Sequence, residues 1–238
     1  MLKKILYTWF CLSVGFTCAQ QIHVQEQVFL KLVMSAKNGV FLPFDKAIAA
    51  GADINIQDPI TGKTPLMLAV LRAPWSIPWF LAHGASVDAK DNDGNTAAHH
   101  AILSSRSEYL ELLFRCGQRY ARSSCLSANN EGKTPLILAA FHGEPMALGY
   151  ILSYYGEAIN DVDGEGNTAL HWAFIGYIHD SVDFYGKKEA YLKVIDMLEK
   201  SDSSLTIRKN KYGLMPCDLL YNSVRGMEKK EPEKCFIL

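Results

Sequence analysis

The stretch Gly132–Ile137, with the sequence GKTPLI, decides the fold because variants of it recur along the chain. The variants are GKTPLM at Gly62–Met67, GNTAAH at Gly94–His99, GNTALH at Gly166–His171 and a degenerate copy, GLMPCD, at Gly213–Asp218. Their first glycines lie 32, 38, 34 and 47 residues apart (94−62, 132−94, 166−132 and 213−166). Self-similarity with a period of about 33 residues is typical of stacked supersecondary repeats.

Each copy has the composition of a turn followed by a capped helix. Its glycine suits a tight turn that demands positive φ, and the threonine two residues later can cap the free N–H groups of a helix. Pro65 and Pro135 then fall at the first helical position, where the missing N–H costs nothing. An apolar run, a polar break and a second apolar run follow each copy. We therefore predict a helix that begins directly after each threonine.

This motif and its period resemble the ankyrin repeats. The resemblance implies an all-α solenoid with short β-hairpin loops and about five to six repeats, including degenerate terminal ones. Gly51–Asn55 and Gly84–Asp88 are similar to the family's loop that closes the second helix. The resemblance also implies that His99 and His171, at the fourth place of the Thr-Pro-Leu-His motif, connect neighbouring turns by hydrogen bonds.

The spacing of the motif predicts the domain organisation, with the least regular segments at both ends. Residues 1–19 are a targeting segment, 20–57 a capping repeat, 58–90, 91–128, 129–162 and 163–209 four repeats, 210–226 a capping helix and 227–238 a charged tail. The third repeat is longer than the period and carries Cys116 and Cys125, for which a disulfide and two free thiols both stay open. The fifth repeat is longer still.

We expect the first helix of the fifth repeat to end near Gly176 and its second helix to cover 188–200. Between them, 177–187 would form an insertion. Insertions in repeat proteins map to surface loops, often on the binding face.

The N-terminus has the pattern of a bacterial-type secretory signal peptide. Lys3 and Lys4 precede twelve mostly apolar residues, and small residues end at Ala19, before Gln20. We expect cleavage between Ala19 and Gln20, while an uncleaved anchor and lipidation at Cys18 remain alternatives. A periplasmic or secreted protein, with no membrane span after cleavage, is the expectation.

Composition and motif content argue against several function classes. The net charge is −1, and −1 − 2 = −3 without Lys3 and Lys4, so the chain has no electrostatic footprint for nucleic acid. Neither Gly-Lys-Thr copy has the upstream glycine of a phosphate-binding loop, and no Gly-x-Ser-x-Gly is present. We expect no enzyme, no cofactor and no metal site; His179, Asp180 and Asp183 are read as solvated loop residues.

The resemblance implies that the chain binds another protein through its hairpin tips, its inner helix faces and the insertion. We expect a monomer that acts as a scaffold, an inhibitor or an immunity protein. The candidate partner-binding residues are Ile60, Asn92, Asp93, Asn130, Glu131, Glu165 and Tyr212 at the tips, Leu71, Phe141, His142, Ile175 and Tyr177 on the inner helices, and Asp180, Asp183 and Tyr185 in the insertion.

One feature favours a different location. The chain ends Cys235-Phe236-Ile237-Leu238, a prenylation pattern with lysines upstream, and this chemistry belongs to a eukaryotic cytosol. The alternative is therefore an ankyrin effector that an intracellular bacterium delivers into a host cell and that is prenylated at Cys235.

Overall fold

The structure is a computed structural model that describes residues 41–117, 126–180 and 187–221, together with Leu30 and Val33. Of Cys116 and Gly117 only the backbone is described. The chain divides into two compact units, Met1–Asn92 and Asp93–Leu238. Across the described ranges, every helix is too short or too polar to cross a membrane.

Over residues 41–92, the part of unit 1 that is described continuously, there are three helices: α1 at Leu42–Ala49, α2 at Pro65–Arg72 and α3 at Ile77–Ala82. A 3₁₀ turn at Pro74–Ser76 leads into α3, which packs against α2.

The core of unit 1 is aromatic. Phe44 of α1 and Phe80 of α3 are both buried, with ring centroids 5.5 Å apart. Trp75 lies 5.2 Å from the ring of Phe41 and 6.2 Å from that of Phe44. Trp75 therefore packs against this aromatic core.

The described part of unit 2 contains six helices and one short helical stretch. They are α4 at Ala97–Leu103, α5 at Leu110–Gly117, α6 at Pro135–Phe141, α7 at Pro145–Tyr154, α8 at Ala169–His179, α9 at Lys187–Ser201 and α10 at residues 216–221. A 3₁₀ turn precedes α5 at Ser107–Tyr109. Two others follow α7 and α9, at Gly156–Asn160 and Ser203–Ile207. Helices α4, α6 and α8 pack side by side as a first layer, and α5, α7 and α9 form a second layer behind them.

The predicted turn and helix appear at each copy of the motif, and the hydrogen bond of the threonine cap appears at two of them. The five marker glycines all have positive φ, from 70° to 77°. Thr64 and Thr134 accept hydrogen bonds from the third backbone N–H of their helices, at 3.4 Å. Pro65 and Pro135 stand at the first helical position, as predicted.

The two histidines of the motif connect adjacent repeats, as the resemblance implied. In His99, Nδ1 accepts from the Thr96 amide at 3.2 Å and Nε2 donates to the Lys133 carbonyl at 3.1 Å. His171 repeats the arrangement, donating from Nε2 to the Leu214 carbonyl at 3.1 Å. The carbonyl partner places the proton on Nε2. Each buried ring therefore satisfies both of its nitrogens.

The loops between repeats are joined by side-chain amides rather than by extended strands. Asn129 donates to Asn95 at 3.0 Å, and Asn210 donates to Asn167 at 2.8 Å. In the described part of the chain, the single β-type pairing is an isolated antiparallel bridge between Val162 and Thr168. The expected hairpins are thus hydrogen-bonded turns.

Helix α8 does not end near Gly176, as the sequence had indicated, but continues to His179. Gly176 lies inside the helix, at a position where a side chain would not fit. A Cβ there would lie 2.2 Å from the carbonyl oxygen of Phe141. Tyr177 consequently belongs to α8 and not to an inserted loop. The second helix of this repeat, α9, matches its expected position to within one residue at each end.

Candidate protein-binding surface

Three apolar side chains occupy one repeat position on the first layer of unit 2. Leu103, Phe141 and Ile175 each follow their marker glycine by nine residues (94+9, 132+9 and 166+9). Leu103 is 45% exposed, and the other two are partly exposed. Because α4, α6 and α8 are neighbours, these residues form a row, here called the apolar row.

Phe141 of this row also belongs to a cluster of rings with a cation, here called the aromatic patch. The patch consists of Lys133, Phe141, His142 and Trp172. Phe141 and Trp172 make an edge-to-face contact with centroids 5.3 Å apart. Lys133 Nζ lies 4.8 Å from the Phe141 centroid and 4.5 Å from the Trp172 centroid. This geometry is that of a cation–π contact shared by two rings.

Two acidic residues hold the patch from the loop side. Asp163 Oδ2 accepts a hydrogen bond from Trp172 Nε1 at 2.8 Å, which fixes the orientation of the indole. Glu131 pairs with Lys133 at 2.9 Å, and the Lys133 side chain is only 12% exposed. The cation is therefore anchored on the rings and the rings are held in place by the loops.

The electrostatic surroundings of the patch are basic on the side of α9. Burial, followed by the charges of Lys187 and Lys133, lowers the pKa of His142 from its ordinary value, while Glu144 acts weakly in the opposite direction. The lowered pKa favours the uncharged imidazole of His142 at neutral pH.

The predicted tip residues differ in whether they already form hydrogen bonds within the protein. Ile60 in unit 1 is 83% exposed, whereas Asn92 donates from its side chain to the Ile60 carbonyl at 2.9 Å. Tyr212 is exposed and donates to Glu165 at 2.7 Å.

The other tips are also bonded within their units. The amide of Asn130 donates to the Asp93 carbonyl at 3.0 Å, and Glu131 is engaged by Lys133 as described. The carboxylates of Glu131 and Glu165 are thus already paired inside the protein, with Lys133 and Tyr212.

The remaining candidates have the following positions. Leu71 is partly exposed in unit 1, and Tyr177 and Asp180 are partly exposed at the end of α8. Five predictions concern positions outside the described residues: the cleavage point between Ala19 and Gln20, the Cys116–Cys125 pair (the side chain of Cys116 and all of Cys125), Asp183, Tyr185 and Cys235.

Two patch residues, Trp172 and Lys133, were not among the sequence candidates. Trp172 lies in the apolar run that follows the Gly166 copy of the motif, and Lys133 lies in the turn of the Gly132 copy. The available signal was Trp172 itself, because the same repeat position holds Leu68, His100 and Leu138 elsewhere, all of them buried. A larger ring at that position is not fully covered.

Part of the chain matches a known repeat family. A family model described as ankyrin repeats, in three copies, matches residues 32–124. The transient receptor potential cation channel subfamily A member 1 of Homo sapiens is 30% identical over 136 residues, which make up 54% of this chain and 11% of the channel. Neurogenic locus notch homolog protein 2 of Homo sapiens is 33% identical over 126 residues, 52% of this chain and 5% of that protein. The chain spans a small part of the length of these curated relatives.

Solved structures support the same fold. A chain of the complex of a predatory endopeptidase from Bdellovibrio bacteriovorus with an immunity protein aligns with a TM-score of 0.61 and 24% identity, over 85% of this chain and 97% of that chain. The chain therefore has an all-α repeat fold, and residues 32–124 match the ankyrin-repeat model. Ankyrin repeats are generally non-catalytic modules for protein–protein interaction, and they bind through extended surfaces of the stack.

Proposed function

We propose that this chain is a protein-binding module whose unit 2 contacts the partner through the aromatic patch and the apolar row. The observation that carries the proposal is the incomplete burial of Phe141, Trp172 and Ile175, although each lies on a helix of the first layer. Aromatic side chains are enriched at the centres of protein interfaces.

The arrangement of the patch suits recognition because its rings are already immobilised. Lys133, Asp163 and the edge-to-face contact hold Trp172, so binding would order few additional rotamers. Preorganisation of this kind increases affinity by reducing the entropic cost of association. Truncation of a central tryptophan typically weakens an interface by about 2 kcal/mol or more.

The finer part of the proposal is an exported inhibitor or immunity protein. The signal-peptide pattern before Gln20 supports export. The structural neighbour supports inhibition, because it comes from a complex between an endopeptidase and an immunity protein. The proposed partner is accordingly another exported protein.

Site-specific photo-crosslinking tests the surface. A photoreactive phenylalanine analogue at Ile175 would be compared with one at Leu192, an exposed apolar residue of α9 in the second layer. We expect a discrete adduct from position 175 in the cell that makes the protein, and its loss when W172A is added. Adducts from position 192 alone, or adducts from 175 that persist in W172A, would contradict the proposed surface.

Export is tested separately by intact mass after fractionation of the cells. A periplasmic or secreted species that begins at Gln20 is the expected result. A full-length cytoplasmic species would refute export and would leave the binding surface as a separate question. In that case the prenylation pattern at Cys235 would be the next feature to test.

A further inference from the structure

Tyr191 crosses from the second layer of unit 2 into the first. It belongs to α9 and is only 4% exposed, yet its hydroxyl donates to the backbone carbonyl of Phe141 at 3.0 Å. Phe141 is both the last residue of α6 and a member of the aromatic patch. This hydrogen bond therefore connects α9 to the backbone of the aromatic patch.

The hydrogen bond satisfies a group that the helix itself leaves open. The last four carbonyls of a helix have no intrahelical N–H donor, and that of Phe141 is one of them. Burial, and after it the charges of Asp180 and Glu144, raises the pKa of Tyr191 to about 12, so the hydroxyl remains protonated and can donate.

Two glycines make room for the ring. A Cβ at Gly143 would lie 3.0 Å from Tyr191 Cε1, and a Cβ at Gly176 would lie 2.7 Å from the same atom. The first glycine follows α6 and the second lies inside α8. Tyr191 thus fills a slot that any larger residue at either position would close.

The tyrosine also contacts the end of α8. The rings of Tyr177 and Tyr191 meet edge to face with centroids 6.4 Å apart. One side chain of α9 therefore contacts both first-layer helices that carry the aromatic patch.

We infer that Tyr191 is a positioning residue for the binding surface: its hydroxyl fixes the backbone of Phe141 and thereby the packing of Phe141 on Trp172. The inference rests on the proposed function only for the statement that the surface binds a protein. A further consequence is that a displacement of α9 is transmitted to the patch through this side chain.

Fluorine NMR on protein labelled with 5-fluorotryptophan tests the inference without a partner. The Trp172 resonance is assigned by its loss in W172F. In Y191F, which keeps the ring in the slot and removes the donor, we expect the Trp172 resonance to shift while those of Trp75 and Trp79 in unit 1 stay in place. Y154F, a matched change in α7, is expected to leave all the resonances unchanged.

Replacement of Tyr191 by 4-aminophenylalanine retains a donor and should return the Trp172 resonance to its original position. This rescue separates positioning through the hydrogen bond from a general loss of packing. An unchanged Trp172 resonance in Y191F, or a shift that the amino analogue fails to reverse, would overturn the inference.

The outcomes distinguish this inference from the proposed function. If Trp172 shifts in Y191F and the crosslink from Ile175 weakens in the same variant, both are supported. If Trp172 shifts but crosslinking does not depend on Trp172, the positioning role stands and the proposed surface fails.

Discussion

Replacement of Gly176 by alanine should destabilise unit 2, although alanine is the better helix former. The added Cβ would lie 2.2 Å from the Phe141 carbonyl oxygen and 2.7 Å from Tyr191 Cε1, and a backbone oxygen cannot rotate away. Overpacking of this kind costs up to about 3 kcal/mol. The gain in helix propensity returns about 1 kcal/mol. The net loss should be about 2 kcal/mol, or roughly 4–8 °C in melting temperature for a domain of this size.

The matched control is G149A, because Gly149 also lies inside a helix of unit 2. Its Cβ would be 3.6 Å from Met197 Cε, an ordinary van der Waals contact, so G149A should be neutral or stabilising by up to about 1 kcal/mol. Urea unfolding followed by far-UV circular dichroism measures both variants. Equal stability of G176A and G149A would refute the close approach of α6 and α8 at this point.

Two further predictions concern caps and histidines. Burial lowers the pKa values of His142 and His171 from 6.5, so the unfolded chain binds protons more readily than the folded chain. The urea midpoint should therefore fall as the pH drops through 6.5. The variant H171Q should show a smaller change of the midpoint with pH. A midpoint independent of pH would contradict this. T134A removes the cap of α6 and should lower the free energy of unfolding by about 1 kcal/mol. The control S153A, at an exposed serine, should leave the free energy of unfolding unchanged. Equal urea midpoints for the two variants would contradict the role of the cap.

The turn, cap and helix of each repeat were predictable because their determinants are local. The glycine with positive φ, the threonine cap and the first-turn proline of α2 and α6 all lie within four residues. The contact between His99 and the next loop was expected as well, from the resemblance of the motif to the ankyrin repeats.

The end of α8 was mispredicted because glycine inside a helix and glycine at a helix end look alike in sequence. The difference depends on Phe141 and Tyr191, which lie thirty-five residues before Gly176 and fifteen residues after it in the chain (176−141 and 191−176). Trp172 and Lys133 were missed for a related reason: the indole is held by Asp163 and Lys133, and no local pattern links these three residues.

The sequence by itself determined the repeating unit, the starting points of its first helices and the class of fold, because turns and caps depend on neighbouring residues. Only the tertiary structure decided which apolar side chains the stack leaves uncovered. Exposure depends on residues far away in the chain: Tyr191 reaches Phe141 across fifty positions, and this packing determines where Phe141 and Trp172 meet the solvent.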